Sequence, residues 1–372
     1  MIRDNTLDAF FALVRAGLWE RKINLSTFDG FDYEKLLQLA EEQSVVGLVT
    51  AGMEHVTDVK VPQVDLLQYI GQSLQLEQQN TEMNRFIGDL VERMRKVGIY
   101  ALLVKGQGIA QCYEKPMWRA SGDVDFLLSS DNYVKAKDFL QPLSSTEEME
   151  GEYQKHYSMT IDSWVVELHG TLRSGLSHRV DKMIDDTQRD VFYGGNVRSW
   201  MNNGAQVFLP GSDCDVIFIF THFLKHFYTG GLGLRQICDW CRLLYTYKES
   251  LNHGLLESRI KKAGLMSEWK AFGAFSVKYL GMPAEVMPLY DSADKWKRKA
   301  DRICSFIMEV GNFGHNRDRR LYENKPYVIR KILSMARRVG DLLIHSRIFP
   351  LDSIRFLPYI IFNGISSAVR GE

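Results

Sequence analysis

The sequence predicts an α+β protein in which a small mixed β-sheet is flanked by N-terminal helices and a large helical C-terminal region. Three observations carry this expectation. Hydrophobic residues recur at helical spacing up to about residue 98 and again from about Thr171 onward. Between them, over about 99–170, the period changes to short apolar runs and alternating stretches of strand length. The chain has 372 residues, 45% hydrophobic and 25% charged, enough for two or three units with buried cores. That balance excludes disordered, collagen-like and polytopic membrane classes. The expected organisation is 1–98, 99–170 and 171–372.

In the first region the clearest element is a helix from Asp65 to Val97, with apolar positions Leu66, Ile70, Leu74, Met83, Phe86, Ile87, Leu90 and Met94. Gly98 suits its C-terminal end. The run Ile99 to Val104 then predicts a buried strand ending at Lys105-Gly106, followed by a short helix to Tyr113. After a loop with Pro116, a second strand spans Asp123 to Leu128, and a helix capped by Asp131 reaches Leu140. Tyr157–Ile161 and Trp164–Leu168, separated by Asp162-Ser163, predict a hairpin. Beyond Thr171 helices are expected over Asp215–Tyr228, Leu232–Tyr247, Lys295–Val310 and Tyr327–Ile344.

Lys+Arg and Asp+Glu both number 46, so no whole-molecule field attracts polyanions and any such site must be local. Five scattered cysteines do not make a disulfide framework, and Leu7–Trp19, interrupted by Asp8 and Arg15, reads as an amphipathic helix rather than a signal peptide. A cytoplasmic protein is therefore expected. The apolar stretch Phe356–Ile365 contains Pro358 and Gly364 and is about half a membrane span.

The segment richest in chemistry is Asp123-Val124-Asp125. On a strand, residues i and i+2 share a face about 6.5–7 Å apart, so the two carboxylates face one way and Val124 the other. Carboxylates held together repel, and hard divalent ions about 3.5–4 Å apart relieve that repulsion. Magnesium is the natural ion. Glu167 interrupts the apolar run Trp164–Leu168, where a lone charge is costly to bury. It completes a three-carboxylate cluster if its strand lies beside that of Asp123 and Asp125; otherwise it faces water at a sheet edge. His169 shares its face. Lys105-Gly106 at a strand-to-helix turn offers positive charge, a close backbone approach and free amides for phosphate, and Arg119 lies in the following loop.

Leu103-Val104-Lys105-Gly106, Tyr113, Arg119, Gly122-Asp123-Val124-Asp125-Phe126-Leu127-Leu128 and Val166-Glu167-Leu168-His169 resemble the bacterial uncharacterised nucleotidyltransferases of the DNA polymerase β-like superfamily. The resemblance implies transfer of a nucleoside monophosphate from a nucleoside triphosphate to an acceptor, with pyrophosphate released. Asp123, Asp125 and Glu167 would bind two Mg2+ (or Mn2+) ions and carry catalysis. Lys105, Gly106 and Arg119 would bind the nucleotide, and His169, Arg235 and Asp239 would serve the acceptor or support the site. It also implies that 99–170 is the catalytic core and 171–372 the acceptor side of a cleft; it names no acceptor, and a small molecule, which is the expected one, a protein side chain and an RNA end all fit a two-metal site. Gly106-Gln107 stands where the superfamily usually has Gly-Ser or Gly-Gly.

Other signals are read more plainly. His222 and His226 share a helix face but lack a third ligand in the sequence. Cys238 and Cys241 read as buried thiols of a helix. Arg235 and Asp239 are spaced for a helix salt bridge. From His315 to Arg355 ten basic residues face four acidic ones along an apolar stripe, which reads as a packed helix with a solvated basic face.

Overall fold

The computed structural model describes residues 5–147, 155–312, 329, 333 and 340–370. Of the basic segment 315–355, residues 315–328, 330–332 and 334–339, and with them most of the helix expected over 327–344, lie outside the described residues. In chain order the helices before the sheet are α1 (Asn5–Trp19), α2 (Tyr33–Glu42), α3 (Val46–Met53) and α4 (Gln63–Lys96). Next come β1 (Leu102–Val104), α5 (Gly106–Ala110), β2 (Asp123–Leu127), α6 (Ser130–Leu140), β3 (Thr146–Glu147), β4 (His156–Ile161) and β5 (Trp164–His169). Then follow α7 (His178–Phe192), β6 (Val197–Asn202), β7 (Ala205–Pro210), α8 (Ser212–Thr229), α9 (Leu234–Thr246), α10 (His253–Ala263), α11 (Met266–Leu280), α12 (Asp294–Val310) and α13 (Pro350–Arg370).

The strands form one mixed sheet in the order β3-β4-β5-β2-β1-β7-β6. β2 is central, antiparallel to β1 and parallel to β5, with Asp125 opposite Glu167. The alternation of β2 separates two cores. Val124 and Phe126 pack with Met83, Ile87 and Leu90 of α4 and Ala136 and Leu140 of α6. Leu127 faces the larger core built from α1, α3, α8, α9, α11 and α12, where Phe220, Phe223, Phe227, Trp240, Trp269 and Phe272 interlock edge to face. Asp123 and Asp125 lie on that second face, under α8 and α9.

Several sequence expectations shift. The strand expected from Ile99 shortens to Leu102–Val104, because the Tyr100 amide donates to Asn132 Oδ1 rather than to a neighbouring strand. It ends where Lys105 and Gly106 take positive φ, +59° and +38°. The helix after it stops at Ala110. The cap of α6 is Ser129, whose hydroxyl accepts from the Asn132 amide, while Asp131 sits in the first turn. On the N-terminal half of α4 the buried residues are Tyr69 and Ser73; Ile70 and Leu74 are exposed, so the expected stripe is rotated there.

The hairpin β6–β7 interrupts a region expected to be helical, and β7 joins the sheet parallel to β1. Its outer strand is an edge with alternating exposure, too weakly apolar to stand out. The Asn203-Gly204 turn, both residues at positive φ, is the signal that marks it. Helix α13 continues through Pro358. Among the described residues no helix is long and apolar enough to cross a membrane.

Candidate functional site

Parallel pairing of β2 with β5 sets the Asp125 and Glu167 positions side by side, and the pleat adds Asp123 two residues before Asp125. One carboxylate oxygen from each of the three lies within 4.8 Å of the others. A triad of hard oxygen donors fits hard divalent cations. Asp125 is 2% exposed, Glu167 half-buried, and Asp123 stands at the cavity mouth. The surrounding protein and the neighbouring charge of Asp125 raise the Asp123 pKa above its ordinary value.

Lys105 binds this cluster directly, its Nζ donating to Asp125 Oδ1 at 2.7 Å. Burial alone would lower its pKa, but Asp125, Glu167 and Asp123 outweigh that and raise it, so it stays an ammonium. The positive φ of Lys105, costly for a side-chain residue, turns the chain sharply enough to bring this ammonium back over β2. Gly106 follows, its Cα face 3.6 Å from the Asp123 carbonyl when a Cβ is built there. Gln107 is buried and points away from the cluster, donating to Asn80 Oδ1 of α4 at 2.6 Å. It supplies nothing to the cavity in place of a serine hydroxyl.

Two imidazoles complete the surroundings of Glu167. His169 Nε2 lies 2.7 Å from Asp125 Oδ1 and 3.4 Å from Glu167 Oε2. His156 Nε2 lies 3.1 Å from Glu167 Oε2, and the two rings are 4.8 Å apart. Burial would raise the Glu167 pKa; hydrogen bonds from His156 and His169, with the charge of Lys105, hold it well below the ordinary carboxylate range. Sequence reasoning passed over His156. Counting outward from the two-residue Asp162-Ser163 turn pairs Ile161 with Trp164 and therefore His156 with His169, which would have found it.

Two cavities meet at the carboxylates and share Lys105, Asp123 and His222. One, of about 500 Å³, is lined by Gly106, Ser121, Gly122, Asp125 and Arg235. The other, of about 310 Å³, is lined by His156, Glu167, His169, Arg173, Lys225 and His226. His222 and His226 face each other with Nε2 atoms 3.2 Å apart. Burial, then the charge of Lys225, pushes His226 down to about 3, and burial and Lys105 depress His222 as well, so both are neutral imidazoles. Among the described residues no ion-pair partner meets the Lys225 ammonium, and sequence reasoning did not single it out.

Arg119 and Asp239, both expected near the site, are joined to each other. Arg119 Nε and Nη2 donate to the two Asp239 oxygens at 2.9 and 2.7 Å, and Tyr113 donates its hydroxyl to the same carboxylate. Arg119 Nη1 is taken by the Ala120 carbonyl and Ser121 Oγ. Arg119 is thus a strut holding the 119–123 loop to α9. The helix salt bridge permitted by the spacing of Arg235 and Asp239 does not form, because the tertiary partner has taken both oxygens. Arg235 instead donates from Nη1 to the Ala120 carbonyl, and its buried Nε has no hydrogen-bond partner among the described residues. Cys238 and Cys241 are buried free thiols, Cys241 pushed by burial up to about 12.

Comparison with known proteins adds the family. No curated protein matches the chain. Among solved structures, an antigenic nucleotidyltransferase-like protein from Paracoccidioides brasiliensis shares 14% identity over 50% of this chain and 91% of that one, with a TM-score of 0.31. The family model described as uncharacterised nucleotidyltransferase matches residues 29–273, a span holding α2 to α10, every strand of the sheet and all the residues of the site. With well over half its length matched, the chain belongs to the uncharacterised nucleotidyltransferase family.

Proposed function

We propose that this protein transfers a nucleoside monophosphate from a nucleoside triphosphate to an acceptor hydroxyl, on a core of the DNA polymerase β-like kind. The observation that carries the reading is the convergence of Asp123, Asp125 and Glu167 at the junction of two cavities, with Lys105 bound to them. The larger cavity suits the triphosphate. Gly106 and Gly122 allow close backbone approach, and Arg235 presents a guanidinium with no ion-pair partner among the described residues. The smaller cavity, walled by α8 of the helical C-terminal region, suits the acceptor, a small molecule by its volume.

Asp123, Asp125 and Glu167 would hold divalent metal, Mg2+ by the hardness of the donors. When bound, the metal supplies charge stabilisation at the phosphoryl oxygens and lowers the pKa of a coordinated hydroxyl. The protein's own contribution is to place the two substrates in line. The acceptor oxygen bonds the α-phosphorus as the bond to the β-phosphate oxygen breaks and pyrophosphate leaves; the hydroxyl proton passes towards the carboxylates. Glu167, kept ionised by His156 and His169, accepts a hydrogen bond from that hydroxyl. Lys105 holds the Asp125 carboxylate and adds positive charge at the phosphates.

Thermal shift with the four nucleoside triphosphates, with and without Mg2+, tests the site, and pyrophosphate release in an acceptor screen tests the reaction. Asp125→Asn should keep the fold and lose turnover; full activity in that variant would sink the assignment. The burial of Gln107 favours one alternative, a protein that binds nucleotide or a partner on this fold without transferring. It predicts Mg2+-dependent triphosphate binding and no pyrophosphate.

A further inference from the structure

We propose that His156, Glu167 and His169 form a second, nitrogen-containing metal site, sharing Glu167 with the carboxylate triad and selective for a borderline divalent ion between Mn2+ and Zn2+. The geometry is that of a ligand set. The Nε2 atoms of His156 and His169 lie 3.1 and 3.4 Å from the same Glu167 oxygen, and one ligand atom from each residue lies within 4.8 Å of the others. Ligands about 2.0–2.2 Å from one ion stand about 3.0–3.5 Å apart in octahedral or tetrahedral arrangement. The register of β4 against β5 puts His156 directly opposite His169, so a rigid hairpin rather than a loop presents the donors.

The site is also open. His156 and Glu167 are partly exposed, and all three residues line the 310 Å³ cavity, so an ion can enter and keep water ligands. The two clusters differ in hardness. Three carboxylates suit Mg2+, whereas two imidazoles and one carboxylate suit first-row transition ions and Zn2+. Glu167 belongs to both sets, and a bridging carboxylate holds two ions at the separation used in two-metal sites. The chain would therefore carry a borderline ion beside the hard metal of the carboxylate triad.

The test uses Co2+ as the probe, in saturating Mg2+ to fill the oxygen site, with no nucleotide present. Its outcome is thus independent of whether the protein transfers nucleotides. Wild type should bind one equivalent of Co2+ and show two exchangeable, hyperfine-shifted imidazole N–H proton resonances, one per histidine. His156→Gln should lose one resonance and at least tenfold in Co2+ affinity, with unchanged circular dichroism. The wild-type spectrum alone decides the matter if that variant fails to fold. Absence of Co2+ binding over the Mg2+ background, a single imidazole resonance in wild type, or a His156→Gln titration matching wild type would each overturn the proposal.

Discussion

Asp239→Ala tests whether the loop carrying Asp123 is held by one buried ion pair. The Asp239 carboxylate receives Arg119 Nε at 2.9 Å, Arg119 Nη2 at 2.7 Å and the Tyr113 hydroxyl at 2.8 Å. Both charged side chains are only 6% exposed. Removing the carboxylate strands a buried guanidinium and a buried hydroxyl together, and breaking one side of such a pair costs about 3–5 kcal/mol. Replacing both partners, as Arg119→Met/Asp239→Ala, removes the stranded charge and leaves mainly the Tyr113 hydroxyl unpaired, a cost of about 1–3 kcal/mol. The double variant should therefore be more stable than Asp239→Ala, and the coupling energy should be about 2 kcal/mol or more. Urea denaturation of wild type, both single variants and the double variant measures this, provided the slopes agree. A loss below about 1 kcal/mol in Asp239→Ala, or strict additivity in the cycle, would refute the reasoning. Mg2+-dependent triphosphate binding should weaken in parallel, since Asp123 follows Arg119 by four residues.

Three further outcomes are expected. Glu268 is fully buried, and burial, with Asp352 nearby, pushes its carboxyl up to about 8 from an ordinary 4.5. As pH rises between those values the unfolded chain releases this proton while the folded chain keeps it, so stability falls; Glu268→Gln should flatten the decline in Tm between pH 5 and 8.5. Gly47 has room for no side chain, a Cβ there lying 2.0 Å from the Trp118 carbonyl oxygen. Gly47→Ala should therefore cost about 1–3 kcal/mol by forcing α3 from the loop before Arg119, and a variant of unchanged melting temperature would contradict it. His226, pushed by burial down to about 3, should keep a neutral ring in an NMR titration from pH 7 to pH 5, and a midpoint near 6.5 would show that the cavity wall is more open than described.

Much of the site was legible because its residues lie on elements whose period is local. The i, i+2 spacing of Asp123 and Asp125 and the single acid in the run Trp164–Leu168 are statements about strands, and strands alternate faces whatever surrounds them. The long helix α4 and the two-residue hairpin turn were equally readable, since cap, period and turn chemistry act within a few residues. What the sequence could not decide is which partner a side chain meets across the fold. Arg119, Arg235 and Asp239 carry the same charges in every arrangement. Only the docking of α9 on the 119–123 loop gives Asp239 to Arg119 and leaves Arg235 on the Ala120 carbonyl, all three lining the same cavity. Gln107 is neutral in sequence and turned inward in structure, because Asn80, 27 residues earlier, reaches it from α4. The hairpin β6–β7 joins the sheet on the strength of pairing with β1, a contact over about a hundred residues that no local pattern encodes. By itself, then, the sequence determined the α+β class and the acidic centre, through short-range periodicity and the cost of burying like charges. The tertiary structure alone decided how Arg119, Arg235 and Asp239 pair beside that centre, because ion pairing depends on distances between elements far apart in the chain.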